Sequence, residues 1–238
     1  MDQNSLKSYF LFQRIYLILA ALFIASLVTS NLIFQKFFYW DLFGLYTFEI
    51  SVGILPYPLT FLITDIISEI YGKKKANAVV TAGIFASLFS LIIIYAADYV
   101  PATPWSPIDD PLFTKVFGAT GIAVFASMTA YLLAQYIDIQ LFHFWKKLTK
   151  GRHLWLRNNF STFLSQFVDT FSVLFLLSIF NKIEWDLFGA LLLSGFLFKV
   201  LIAAMDTPFL YISVYWLRKK FGLKTGEELN FERHFKIP

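Results

Sequence analysis

Two hundred and thirty-eight residues would make one or two ordinary domains, yet 58% of them are apolar, only 15% are charged and 29 are Phe. Globular domains run at roughly 45–50% apolar and about 25% charged, and a soluble fold of this size must leave too much surface in water to hide the excess, so lipid is the expected solvent. The absence of Cys excludes disulfides, thiol nucleophiles and iron–sulfur clusters, while His143, His153 and His234 are too dispersed for a metal centre.

A bilayer-crossing helix needs about 20 mostly apolar residues. Six runs qualify in chain order: 15–34, 50–71, 78–100, 116–141, 160–180 and 187–217. The first follows Lys7 and Arg14, as a secretory signal would, but it has full crossing length and no clear small-residue cleavage site, so it reads as retained. The second carries Pro56 and Pro58 and is expected to be kinked or partly unwound near its start. The sixth is longer than a bilayer requires and should tilt or extend beyond it. Around residues 101–111 lies the longest outer connection, no phosphate loop occurs, and the tail 218–238 is short. The expected fold is all-α: a single polytopic membrane domain, residues 1–238, forming a six-helix bundle with a proline-interrupted second helix and no ATPase of its own.

Cations set the orientation. Lys7 and Arg14, then Lys73, Lys74 and Lys75, then Lys146, Lys147, Lys150, Arg152 and Arg157, then Arg218, Lys219, Lys220, Lys224, Arg233 and Lys236 all fall on one side of an alternating path. Lys36, Lys115 and Lys182 fall on the other, and Lys199 lies inside a span. Both termini are therefore expected to be cytoplasmic. The net charge of +4 is explained by this asymmetry, with no need for a nucleic-acid partner.

Ionisable side chains at membrane depth cost at least about 2.5–3.5 kcal/mol at a helix centre, so each needs a reason. Asp65, Glu69, Asp138, Asp169, Lys199 and Asp206 qualify. On the fifth span, Asn158, Asn159, Ser161, Thr162, Ser165, Gln166, Asp169, Thr170 and Ser172 share one side of a helical wheel, opposite Phe160, Phe163, Leu164, Phe167, Val168 and Phe171. Lipid cannot satisfy such a stripe, so it faces polar helices or a wet pathway. Ser and Thr alone would fit helix packing; Gln166 and Asp169 exceed that need. Asp169 lies 12 residues past Arg157, about 18 Å along the helix and near mid-depth, and Lys199 is at similar depth and balances it best. Asp206, seven residues on, faces the same way and precedes Thr207 and Pro208.

Asp65, Glu69 and Lys73 step by four along one face of the second span. Glu69 is expected to pair with Lys73, while Asp65 follows the proline break, where discontinuous transporter helices carry binding sites. Tyr131, Gln135 and Asp138 share a face of the fourth span; Asp138 either answers Lys146 and Lys147 or serves the site. Asn31 is a packing amide or a ligand contact. Gly118, Gly121, Ala126, Ala130 and Ala134 read as close-packing positions.

Several of these stretches together resemble the queuosine precursor transporters, also called the vitamin uptake transporter family. They are PYPLTFLITDIISEIYGKKKA from Pro56, Ser30–Asn31, QYID at Gln135–Asp138, FSTFLSQFVDT at Phe160–Thr170 and FKVLIAAMDTP at Phe198–Pro208. The resemblance spans nearly the whole chain. It implies six crossings, a bacterial inner-membrane location and import of 7-deazaguanines such as the 7-cyano or 7-aminomethyl form, or queuine. By motif position it maps a polar core onto Asn31, Asp65, Gln135, Asp138, Asp169 and Lys199; Glu69 and Asp206 are less uniform features of that family. The stripe adds Asn159 and Gln166 to the candidate substrate residues. A guanine-like base presents a fork of N–H donors that a carboxylate accepts, while Gln and Asn can read its other edge atoms. No cofactor is implied. Proton coupling and facilitated diffusion both fit.

Two rivals belong to other classes. A substrate-binding subunit of an energy-coupling-factor importer also has about six helices, and Ala21 and Ala25 offer a small-residue stripe for coupling subunits. An integral-membrane enzyme lacks support, since the sequence shows no metal-ligand cluster, nucleophile elbow or paired acidic motif. Homo-oligomerisation stays open.

Overall fold

The computed structural model describes residues 3–33, 36–44, 46–118, 121–181 and 183–228. Lys182, Arg233 and Lys236, used above for orientation, and Phe34, the end of the first expected span, lie outside them. The chain is a multi-pass helical membrane protein. Five helical segments among the described residues are long and apolar enough to cross: Leu6–Ile33, Val52–Ile70, Lys73–Tyr99, Leu154–Ile179 and Trp185–Phe221.

The first segment lies in α1 (Gln3–Ile33), and a β-hairpin follows it that the all-α expectation did not contain. Strands β1 (Phe37–Leu42) and β2 (Tyr46–Ser51) pair antiparallel, with Trp40 opposite Phe48 and Phe38 opposite Ile50. Side chains alternate along a strand. Phe38, Trp40, Leu42, Phe48 and Ile50 accordingly pack as one apolar face around Phe198, while Tyr39, Asp41 and Thr47 are exposed. The Asp41 carboxylate ties the turn, accepting from the Gly44 amide at 2.9 Å and from Thr47 Oγ1 at 3.2 Å. Gly44 has φ +72°, a left-handed conformation that glycine adopts without steric cost. The expected second span thus starts inside a strand at Ile50.

A 3-10 turn (Val52–Ile54), capped by the Ser51 hydroxyl on the Gly53 amide at 3.1 Å, leads to α2 (Tyr57–Ile70). Pro56 and Pro58 occupy the N-cap and the second helical position of α2, where their missing N–H groups have no intrahelical partner to lose. The crossing segment Val52–Ile70 is thus partly unwound near its start, as expected, and the prolines stand at the beginning of its regular α-helix. α2 is the central strut, with Thr60, Phe61 and residues 63–70 all buried.

Helix α3 (Lys73–Tyr99) passes so close to α1 that a Cβ on Gly83 would lie 2.7 Å from the Phe23 ring. The expected fourth span divides: residues 116–117 end the short helix α4 (Asp110–Phe117), Gly118 is its C-cap rather than a packing position, and α5 (Gly121–Leu148) follows. At 28 residues, about 42 Å, α5 is long enough to cross but is not among the five apolar segments. Ala126, Ala130 and Ala134 are fully buried along it, as close packing requires. Ala21 and Ala25 on α1 are exposed.

On α6 (Leu154–Ile179) the wheel holds: Asn158, Ser161, Thr162, Ser165, Gln166, Asp169 and Thr170 are buried, while Phe160, Leu164, Phe167 and Phe171 are exposed. α7 (Trp185–Phe221) runs through Pro208 for 37 residues, beyond the expected span at both ends.

Candidate functional site

A cavity of about 290 Å³ opens among α1, α2, α5, α6 and α7, beneath β2 and the 3-10 turn. This is near the lower end of ligand pockets, which run from about 300 to 1,000 Å³, and suits a small molecule. Its polar lining converges from separate helices. Asp169 of α6 and Lys199 of α7 face it as an ion pair, with the ammonium donating to Asp169 Oδ2. Lys199 Nζ also lies 4.9 Å from the centre of the Tyr57 ring, which forms one wall. Asn31 of α1 lines the cavity, and its Nδ2 is buried with no hydrogen-bond partner among the described residues. Next to it, the Ser30 hydroxyl donates to the Gly53 carbonyl at 2.5 Å, anchoring the 3-10 turn to α1. Tyr57 and Tyr131 pack edge to face.

A second polar layer lies behind the first, toward the end that carries Lys73, Lys74 and Lys75. Gln135 is fully buried and satisfied by protein: its Nε2 donates to Tyr131 Oη at 2.8 Å and its Oε1 accepts from Thr64 Oγ1 at 3.2 Å. It therefore links α2 to α5 and orients a cavity wall without lining the cavity. The carboxyl groups of Asp65 and Asp138 meet in hydrogen-bond contact, and Asp138 Oδ1 accepts from Ser165 Oγ at 3.0 Å. Gln166 and Asp206 face a narrow gap that also reaches Lys199 and Tyr57, and Gln166 Oε1 is buried without a partner among the described residues. Asn159 stands apart, with its Nδ2 donating to the Trp155 carbonyl at 2.8 Å and to Thr207 Oγ1 at 3.1 Å. The geometry thus brings Asn31, Asp169 and Lys199 to one cavity, stacks Asp65, Gln135, Asp138, Gln166 and Asp206 behind it, and leaves Asn159 in a helix-to-helix bond.

Beyond the second layer lies a charge cluster, bordered by a recess of about 630 Å³ that Arg157 and Arg218 line. Glu69 is fully buried and accepts both arms of the fully buried Arg157, at 2.8 and 3.2 Å. Arg218 donates to its Oε1, Lys146 Nζ stands 3.4 Å from its Oε2, and Glu228 flanks Lys146 at 3.1 Å. One carboxylate thus ties α2 to α5, α6 and α7. This corrects the expected Glu69–Lys73 pairing, since Lys73 donates to Gln140 instead, and it removes Lys146 from the first of the two readings of Asp138, since Lys146 serves Glu69 and Glu228. A carboxylate this deep needs cations that are equally dry, and Lys73, half-buried at the helix start, is not.

Residues 51–213 match the family described as "Putative vitamin uptake transporter". The chain belongs to the vitamin uptake transporter family. A "Probable queuosine precursor transporter" of Bacillus subtilis (strain 168) is 26% identical over 172 residues, covering 72% of this chain and 73% of that protein. No solved structure matches. The family match includes the Asp169–Lys199 pair and the whole second layer but begins after Asn31. The chain is accordingly a membrane transporter with a small-molecule substrate.

Tyr57, Tyr131 and the cations around Glu69 are site elements the sequence reading did not assign. Tyr57 had a visible signal, since it sits between two prolines at the start of the span that carries Asp65. The cations did not, because Arg157, Lys146 and Arg218 read equally well as solvated charges beyond the helix ends.

Proposed function

We propose that this transporter imports 7-deazaguanine bases across the bacterial inner membrane, by secondary or facilitated transport, through six crossings with both termini inside. The observation that carries the reading is the joint presentation of a carboxylate–ammonium pair, an amide whose buried Nδ2 has no partner among the described residues and a tyrosine wall to one small cavity. A guanine-like edge offers an N1–H and an amine side by side. Asp169 accepts that fork, and Lys199 aims the carboxylate by donating to its Oδ2. The Asn31 amide supplies a donor for a ring nitrogen or carbonyl, and the base lies against Tyr57. The cavity reaches from Asp169 toward Ile50 and Gly53, whereas the Glu69 cluster stands between it and the opposite, cation-rich end, where a separate recess of about 630 Å³ is lined by Arg157 and Arg218. Such a conformation faces outward. Import then requires the cluster to open after the base is bound.

Equilibrium binding of a labelled 7-deazaguanine to the purified, detergent-solubilised chain tests this reading. Wild type should bind saturably, and Phe167→Leu, on the exposed face of α6, should bind alike. Asp169→Asn should bind about 10- to 100-fold more weakly, the equivalent of losing charge-assisted hydrogen bonds worth about 1.5–3 kcal/mol. Equal affinity of Asp169→Asn and wild type would remove the carboxylate from the site.

A further inference from the structure

Asp65 on α2 and Asp138 on α5 are 2% and 0% exposed, and their carboxyl groups touch. Asp138 Oδ1 is satisfied by Ser165, but Asp138 Oδ2 and Asp65 Oδ1 are both buried with no donor among the described residues. Ser161 and Thr162 of α6 also face Asp138; the Ser161 hydroxyl donates to the Asn158 carbonyl at 3.1 Å, whereas the buried Thr162 hydroxyl has no other partner among the described residues and can turn to Asp138, which leaves Asp65 Oδ1 as the acceptor without a donor. Two ionised carboxylates in contact repel each other strongly in a buried site, the more so when one of them keeps an acceptor without a donor. One proton between them supplies the missing donor and halves the charge.

Among the described residues the cations near the pair are each engaged by another carboxylate, although the Glu69 cluster as a whole sets three cations against two carboxylates and Arg157 Nε has no partner there. Arg157 of α6 is near enough to act on Asp65, but both of its guanidinium arms are committed to Glu69. Asp206 of α7 adds negative charge to the same region. Lys199 is engaged by Asp169, and Lys146 and Arg218 by Glu69. The phenols of Tyr57 and Tyr131 add no positive charge. In position, the pair sits between the cavity and the Glu69 cluster. It is joined to the cavity wall through the bonds from Tyr131 to Gln135 and from Gln135 to Thr64, the residue preceding Asp65.

We infer that Asp65 and Asp138 share a single exchangeable proton and that this proton is the coupling ion of transport. It would bind from the outer side while the Glu69 cluster is closed. It would leave to inner water when α2 and α5 shift and the cluster opens, so that one H⁺ enters with each base and no covalent bond other than the carboxylic O–H is made or broken. This rests on the import reading above and adds its driving force.

The test uses proteoliposomes containing only this chain, with the membrane potential clamped at zero and labelled 7-cyano-7-deazaguanine outside. With the outside about one pH unit more acidic, wild type should accumulate the neutral base up to about tenfold over the level at equal pH, as one coupled proton allows. A trapped dye should report acidification that depends on the base. In Asp65→Asn and Asp138→Asn the ratio of accumulation with and without the gradient should fall to about one, whatever their basal rate. Asn can donate the hydrogen bond the shared proton supplies, so folding should survive. A wild-type ratio of one, or a variant ratio equal to that of wild type, overturns the proposal. A second readout does not need transport: infrared spectra of the purified protein at neutral pH should contain a protonated-carboxyl stretch that the D65N/D138N double variant loses. Its absence from wild type overturns the shared proton, and a variant that fails to fold leaves the two wild-type readouts to decide. No uptake by wild type under either condition would instead sink the import reading.

Discussion

Replacing Glu69 by Gln should unfold this protein far more readily than any change at the neighbouring Lys73. The Glu69 carboxylate is fully buried and faces Arg157, Lys146 and Arg218 at once, with Glu228 as the remaining counter-charge beside Lys146. Gln keeps the shape and one acceptor but strands the fully buried Arg157 guanidinium next to two further cations. Breaking a buried pair by removing one partner costs about 3–5 kcal/mol. Lys146 and Arg218 are closer to water, and the retained Gln acceptor offsets part of the loss, so about 3 kcal/mol is the working figure. At about 2–4 °C per kcal/mol for a chain of this size, the melting temperature should fall by about 6–12 °C. Thermal unfolding in detergent, followed by size-exclusion chromatography, measures it. Lys73→Gln removes only the peripheral bond to Gln140 and should shift the midpoint by less than about 2 °C. Combining Glu69→Gln with Arg157→Gln should recover part of the loss, because the charge that was stranded is gone. A Glu69→Gln protein that melts with wild type, or a Lys73→Gln protein that melts as low as Glu69→Gln, would refute the cluster as the tie between these helices.

Asp169 and Lys199 should behave as partners in the same sense: Asp169→Asn and Lys199→Met each lower stability, and the double variant recovers folding without recovering transport. A double variant no more stable than the worse single one would dissolve the pair and make Asp206 the next candidate. For orientation, Cys placed at Asp109 should react with an impermeant thiol reagent applied from outside to intact cells, and Cys placed at Lys74 should not. The reverse labelling would invert the topology.

The long elements were legible because membrane crossing imposes a length and α6 imposes a period. Its Phe residues at 160, 167 and 171 are exposed and its polar residues buried, as the wheel required. Lys199 and Asp169 could be matched by depth alone. What escaped was short or distant. The hairpin rests on an alternation from Phe38 to Leu42 and from Thr47 to Ile50, visible in retrospect but embedded in a stretch so rich in aromatic residues that its apolar and polar faces barely contrast. Pro56 and Pro58 mark the unwound start of the second span, but spacing alone does not place the 3-10 turn before them or the helix start at Tyr57. Spacing along the chain pairs Glu69 with Lys73, whereas its partners come from α5, α6 and α7. No local spacing encodes a bond between residues 69 and 218. The contact of Asp65 with Asp138 and the shared bonds of Gln135 likewise depend on how α2 lies against α5, which packing decides.

In the proposed function a single chain moves a guanine-like base through the Asp169–Lys199 cavity. Uptake of labelled 7-cyano-7-deazaguanine into proteoliposomes that contain this chain and no coupling subunit or ATPase tests it most directly, with each variant scored per folded molecule. Wild type should show saturable uptake, suppressed by excess unlabelled base and reduced to the empty-liposome level in Asp169→Asn. Uptake that appears only when coupling subunits and ATP are supplied, or that is undiminished in Asp169→Asn, would contradict it.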